Sequence, residues 1–151
     1  MNETILNENK QLNNHGPNKI AHLQMIQGVI DRMGGNLFYL KGWAITLLVA
    51  LFAVSTSNTQ LIGKWSPVLI VVLLFLFWIL DGYFLSLERC FRDLYDKVRK
   101  INEGDIDFSM NIGEFIKLRE RSPFRTMFRP TLFWFYAILL ISMGIIMKLT
   151  W

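Results

Sequence analysis

Three apolar blocks, at about residues 37–55, 67–85 and 131–149, set the limits on how this chain of 151 residues can fold. Each is close to the ~20 residues that a helix needs to cross ~30 Å of hydrocarbon at ~1.5 Å per residue. From Val68 to Leu80 (VLIVVLLFLFWIL) and from Thr131 to Met147 (TLFWFYAILLISMGIIM) the sequence is apolar all round. A bundle helix facing water needs a polar stripe, whereas lipid tolerates none. The first block is less uniform, because Lys41 lies inside it. The pattern predicts an all-α integral membrane protein with three transmembrane helices, a hairpin plus a third span, carrying cytoplasmic helical extensions. Average composition would not give this, since 52% hydrophobic residues is only slightly above the soluble range.

Basic residues orient the spans, because cytoplasmic flanks carry the excess of Lys and Arg. Lys10, Lys19, Arg32 and Lys41 precede or open the first span, and Arg89, Arg92, Lys97, Arg99, Lys100, Lys117, Arg119, Arg121, Arg125 and Arg129 lie between the second and third. Only Lys64 and Lys148 fall on the other side. The N-terminus and the 86–130 segment are therefore expected in the cytoplasm of a bacterial inner membrane, with the C-terminus outside it. The first nineteen residues lack the basic start and apolar stretch of a cleavable signal, so the first span is expected to direct its own insertion. The net charge of +4 points to an anionic lipid surface. Arg119, Arg121, Arg125 and Arg129 are the expected inner-leaflet contacts. Nucleic acid is not expected as a partner, because acids interleave the basic segment from Glu88 to Glu120 and no aromatic stacking motif accompanies it.

Residues 1–17, polar and Asn-rich, are expected to be a disordered tail, and 18–151 a single membrane domain. Ile20, Leu23, Ile26, Val29 or Ile30, and Met33 recur at helical steps, which predicts an amphipathic helix capped by Asn18, with a bend available at Gly34-Gly35. Ser55–Pro67 reads as a short turn between antiparallel spans. Beyond the second span, Leu87, Phe91, Leu94, Val98 and Ile101 step by 4, 3, 4 and 3, a coiled-coil-like seam, with Gly104 as its stop. Ile106, Phe108, Met110 and Ile112 alternate with polar residues, as a short strand or an ordered loop would. Ser122-Pro123 has the form of a cap and first helical residue, opening a short helix with Phe124, Met127 and Phe128 in the headgroup layer.

Catalytic constellations are nearly absent from the sequence. His15 and His22 have no partner at metal-ligand spacing, and His22 is expected on the polar face of its helix. Asp105 and Asp107 read as solvated loop acids, and the lone Cys90 as a buried thiol. No cofactor, metal or enzymatic activity is expected. Ionisable residues within the apolar blocks are more informative, because a charge there is costly unless paired. About a hairpin midpoint near Leu61, Lys41 and Asp81 lie at equal distances and thus at one depth, where they can pair. The same reflection brings Arg32 near Glu88 as a second candidate pair. The competing reading leaves Lys41 snorkelling to the headgroups and Asp81 at a wet helix mouth. Tyr39, Trp43, Trp78 and Tyr83 suit an inner aromatic belt, with Trp65 and Trp151 as outer anchors.

LDGYFLSLERCFRDLYDKVRK from Leu80 to Lys100, with LKGWAITLLVALFA from Leu40 to Ala53, resembles small bacterial multi-span membrane proteins of phage-defence and mobile loci. The layout is also similar to few-span effectors of nucleotide-signalling defence systems. The resemblance implies an effector that oligomerises and forms a pore in, or otherwise breaches, the inner membrane. A non-catalytic scaffold or regulatory subunit, docking a cytoplasmic protein through 86–130, is the alternative.

Overall fold

The computed structural model describes residues 16–57 and 62–150, and within them there are helices, turns and loops but no strand. Helix α1 runs Pro17–Ser57 and α2 runs Ile62–Lys100; a 3-10 turn at Glu103–Asp105, short α3 (Gly113–Ile116), a second 3-10 turn at Arg119–Arg121, short α4 (Pro123–Met127) and α5 (Pro130–Thr150) complete the chain. Helices α1 and α2 are both long and apolar enough to cross a membrane, and α5 is a shorter apolar helix. Most of the tail expected at 1–17 lies outside the described residues; Pro17, however, opens α1, and Gly16 directly precedes it.

The two long helices are antiparallel neighbours, and α2 is the central element, packed also on α4 and α5. Their sequence pattern divides the interface into two cores. In the expected cytoplasmic part, Ile26 and Ile30 of α1 meet Leu94 and Val98 of α2, with Leu23, Phe91 and Ile101 at the margins. Ile20, expected on this seam, is exposed. In the apolar part, Leu48, Ile70 and Leu74 pack with Leu132, Tyr136 and Met143 of α5. Burial of one such side chain stabilises by about 1.5–3 kcal/mol against water, but in lipid the gain comes from packing. Most outward side chains here are apolar, among them Phe38, Trp43, Val49, Val71, Phe75, Ile138 and Ile141.

Several local expectations are corrected. The helix carries through Gly34-Gly35 without a break. The expected Ser55–Pro67 turn is mostly helical, leaving only residues 58–61 outside the described helices. Pro67 sits early in α2, where the missing N–H removes a single helical bond. Asn18 does not cap α1. Pro17 holds the first helical position, the Ile20 amide donates to the Gly16 carbonyl at 3.1 Å, and the Asn18 amide donates to Glu103 Oε1 at 3.1 Å. Gly104 does not stop α2 directly; the helix ends at Lys100, and Gly104 lies in the following 3-10 turn.

Residues 106–112 form a loop because their polar side chains take the backbone amides that a strand would pair. Asp107 Oδ1 accepts from the Ser109 amide, Ser109 Oγ from the Asn111 amide, and Asn111 Oδ1 from the Gly113 amide, at 2.8–3.1 Å. Phe108 takes a φ of 53°, and its ring meets His22 edge-on at 5.5 Å. His22 is therefore buried, contrary to its expected place on a polar face. The loop folds back over that turn of α1.

Candidate functional site

Three helices converge on Asp81, which is 0% exposed at the midpoint of α2. Its Oδ2 accepts from Lys41 Nζ of α1 at 2.8 Å and from the Tyr136 hydroxyl of α5 at 3.0 Å. Oδ1 has no hydrogen-bond partner among the described residues. The Lys41 side chain is 33% exposed, and its ammonium also stands 3.5 Å from the Leu37 carbonyl and 5.7 Å from the Phe135 ring centroid. A cation over an aromatic face is attracted by the ring quadrupole. Trp78, one turn before Asp81, stacks on Tyr136 at 6.2 Å and donates from Nε1 to the Met127 carbonyl at 2.9 Å. The arrangement holds α1, α2 and α5 in one register.

Below this cluster, α4 lies close on α2. A Cβ on Gly82 would overlap the Met127 side chain and stand 3.3 Å from its Cα, so the contact requires glycine. Met127 is accordingly buried against α2, while Phe124 and Phe128 are exposed. Ser86 Oγ donates to the Arg121 carbonyl. The Arg121 guanidinium reaches both Asp93 oxygens, at 2.6 and 2.8 Å, and this hydrogen bonding holds it above its ordinary pKa. Burial, with Asp93 nearby, raises the Cys90 thiol. At the far end, Lys19 is buried and its Nζ donates to the carbonyls of Arg99 and Ile101, at 3.1 and 2.6 Å, where the helix dipole favours a cation.

The other candidate pair does not form. Glu88 accepts from Arg92 Nε at 2.8 Å, one turn along its own helix, while Arg32 lies on the exposed side of α1, away from buried Ile30. A partner already on the same helical face needs no second helix to reach it. The expected lipid-facing basic residues also divide. Arg119, Arg125 and Arg129 are exposed and without an ion pair among the described residues, whereas Arg121 is half-buried and neutralised by Asp93. Arg89, which the sequence did not single out, has a buried Nη1 with no hydrogen-bond partner. Its pKa is lowered by burial first, then by Arg129 and Arg121.

Trp65, Tyr39, Trp43 and Tyr83 are exposed and Trp78 is half-buried; Trp151 and His15 lie outside the described residues. No group of three or more His, Cys, Asp or Glu side chains is placed to hold a metal among the described residues. Tyr136, Lys19, Glu103, Asp93 and Gly82 were not identifiable as partners in the sequence. Only Gly82 carried a local signal, a glycine beside an acid in an apolar helix, and that signal names no neighbour. No protein-family model matches the chain, nor does any curated protein or solved structure.

Proposed function

We propose that the chain is a non-catalytic effector of a bacterial inner membrane. It crosses three times, keeps its N-terminus and the 86–130 segment in the cytoplasm, and breaches the membrane on assembling into an oligomer. The observation that carries this reading is the continuity of α1 and α2. Each is a single helix, of 41 and 39 residues, with one end in the core built on Ile26, Ile30, Leu94 and Val98 and the other in the core built on Leu48, Ile70 and Leu74. An event at the cytoplasmic core is thereby transmitted to the membrane core without passing through a flexible joint. The 21 residues of α5, about 32 Å at ~1.5 Å per residue, supply the third crossing.

Three spans from one copy line no wide aqueous path, so conduction needs several copies. Lys41 and Asp81 are the groups whose exchange of partners would provide a polar lining. The decisive experiment is induced expression with a membrane-potential dye and an impermeant DNA stain. Rapid depolarisation followed by stain entry is expected, with the protein recovered as an oligomer in mild detergent.

The scaffold reading is favoured by one observation, the apolar outward faces of the spans, which offer no polar stripe for a pore in this conformation. It predicts an undisturbed potential and a cytoplasmic protein that co-purifies through 86–130.

A further inference from the structure

The foot of α5 carries a concentration of positive charge that the fold does not neutralise. Two adjoining clefts, of about 470 and 490 Å³, share Arg125 and Phe128. Arg119 and Ser122 edge the first, and Arg129 and Glu120 the second. Glu120 is the only acid lining either cleft, and it forms no ion pair among the described residues, against three arginines equally without one. Arg89, which lines neither cleft, has a buried Nη1 with no hydrogen-bond partner, and Arg129 lies near enough to repel its charge. Holding like charges together costs free energy unless an anion joins them. Phe124 and Phe128, 71% and 52% exposed, stand beside the arginines and next to Pro130, where the apolar α5 begins. Guanidinium groups suit phosphate, and exposed phenylalanines suit the upper acyl chain.

We propose that this face is a site for one anionic glycerophospholipid. Arg125 and Arg129 hold its phosphate, Arg89 and Arg119 add to the field, and Phe124 and Phe128 contact the upper acyl chains. Arg121 takes no part, because Asp93 already occupies both edges of its guanidinium. The assignment rests on the membrane-spanning reading, since a soluble chain would not bring these residues to a headgroup layer. It differs from diffuse attraction to the inner leaflet in requiring one face and in saturating at one lipid per chain.

The test uses the full chain purified in a neutral detergent, with native mass spectrometry and thermal-shift titration against phosphatidylglycerol, phosphatidylcholine and inorganic phosphate. Wild type is expected to retain one phosphatidylglycerol at least tenfold more strongly than phosphatidylcholine, and to show no shift with inorganic phosphate. Arg125→Gln with Arg129→Gln should reduce that preference by an order of magnitude or more, at about fivefold per basic residue. Lys97→Gln with Lys100→Gln removes equal charge elsewhere and should leave it intact. Both cleft arginines are exposed and outside any ion pair among the described residues, so each single exchange reads the same effect if the pair does not fold.

Equal retention of the two lipids, a preference that survives loss of both arginines, or an equal loss in the lysine variant overturns the site. A shift with inorganic phosphate alone would mean a free anion is the ligand and overturns the lipid assignment. Carbonate extraction of wild-type membranes separates the two levels: release of the chain refutes the membrane-spanning reading, while retention without lipid preference refutes only the site.

Discussion

Asp81 shows how much a single buried carboxylate can specify. Removing it leaves Lys41 unpaired and frees the Tyr136 hydroxyl, so Asp81→Ala should cost about 1–3 kcal/mol, since the partly exposed Lys41 recovers part of its solvation. Thermal unfolding in detergent of Asp81→Ala, Lys41→Ala and the double variant yields the coupling directly. A coupling under about 0.3 kcal/mol would mean that the two charges do not stabilise one another. Tyr136→Phe should cost about 1 kcal/mol, the net worth of one hydrogen bond. Gly82→Ala forces Met127 away from α2 and should lower stability by about 1–3 kcal/mol, whereas Gly28→Ala, which meets nothing, should be neutral or stabilising. Cys90 is fully buried and its thiol is raised by burial and by Asp93. A thiol raised in the fold ionises first in the unfolded chain. Its contribution is therefore complete below its ordinary value near 9.0 and declines as pH rises through the folded value. Iodoacetamide at pH 8 should label Cys90 slowly in the folded protein and rapidly in dodecyl sulfate; equal rates would contradict this burial.

At the scale of elements, α1 and α2 close each other's ends. Glu103, just past α2, accepts from the second residue of α1, and Lys19 of α1 donates to the Arg99 and Ile101 carbonyls, at and just past the end of α2. Opposite charges thus sit at the helix ends their dipoles favour. Lys19→Met should destabilise the core built on Ile26, Ile30, Leu94 and Val98 by about 1–2 kcal/mol and raise amide exchange from Val98 to Ile101 while leaving the core built on Leu48, Ile70 and Leu74 protected. Uniform loss of protection would show that the two cores unfold as one. Much of this level could be read from the sequence. Ile26, Ile30, Leu94 and Val98 announced their face by spacing, and reflection about the hairpin put Lys41 level with Asp81, where the ion pair stands at 2.8 Å. Reflection failed for Arg32 and Glu88 because it fixes depth and not rotation about the helix axis. His22 read as a polar-face residue because the loop that covers it arrives from far along the chain, and nothing near Lys19 in sequence names the end of α2 that receives it. Tyr136 escaped notice for a related reason: nothing in an apolar span says which side of it meets α2.

For the molecule as a whole, the sidedness argument predicts that a reporter fused after Gly104 is cytoplasmic and one fused after Trp151 extracytoplasmic. Both on the cytoplasmic side would remove α5 from the set of spans. A geometric consequence also follows from the placement of the Lys41–Asp81 contact along two unbroken helices. Lys41 lies about 36 Å from the Pro17 end of α1 and about 24 Å from the Ser57 end, at ~1.5 Å per residue. The contact is a fulcrum, and α1 is a lever with arms in a ratio near three to two. A tilt of about 10° that preserves the contact would carry the Pro17 end about 6 Å one way and the Ser57 end about 4 Å the other. Prying the helices apart at the Pro17 end would thus press them together at the Ser57 end, and spin-label distances across the two ends should change with opposite signs.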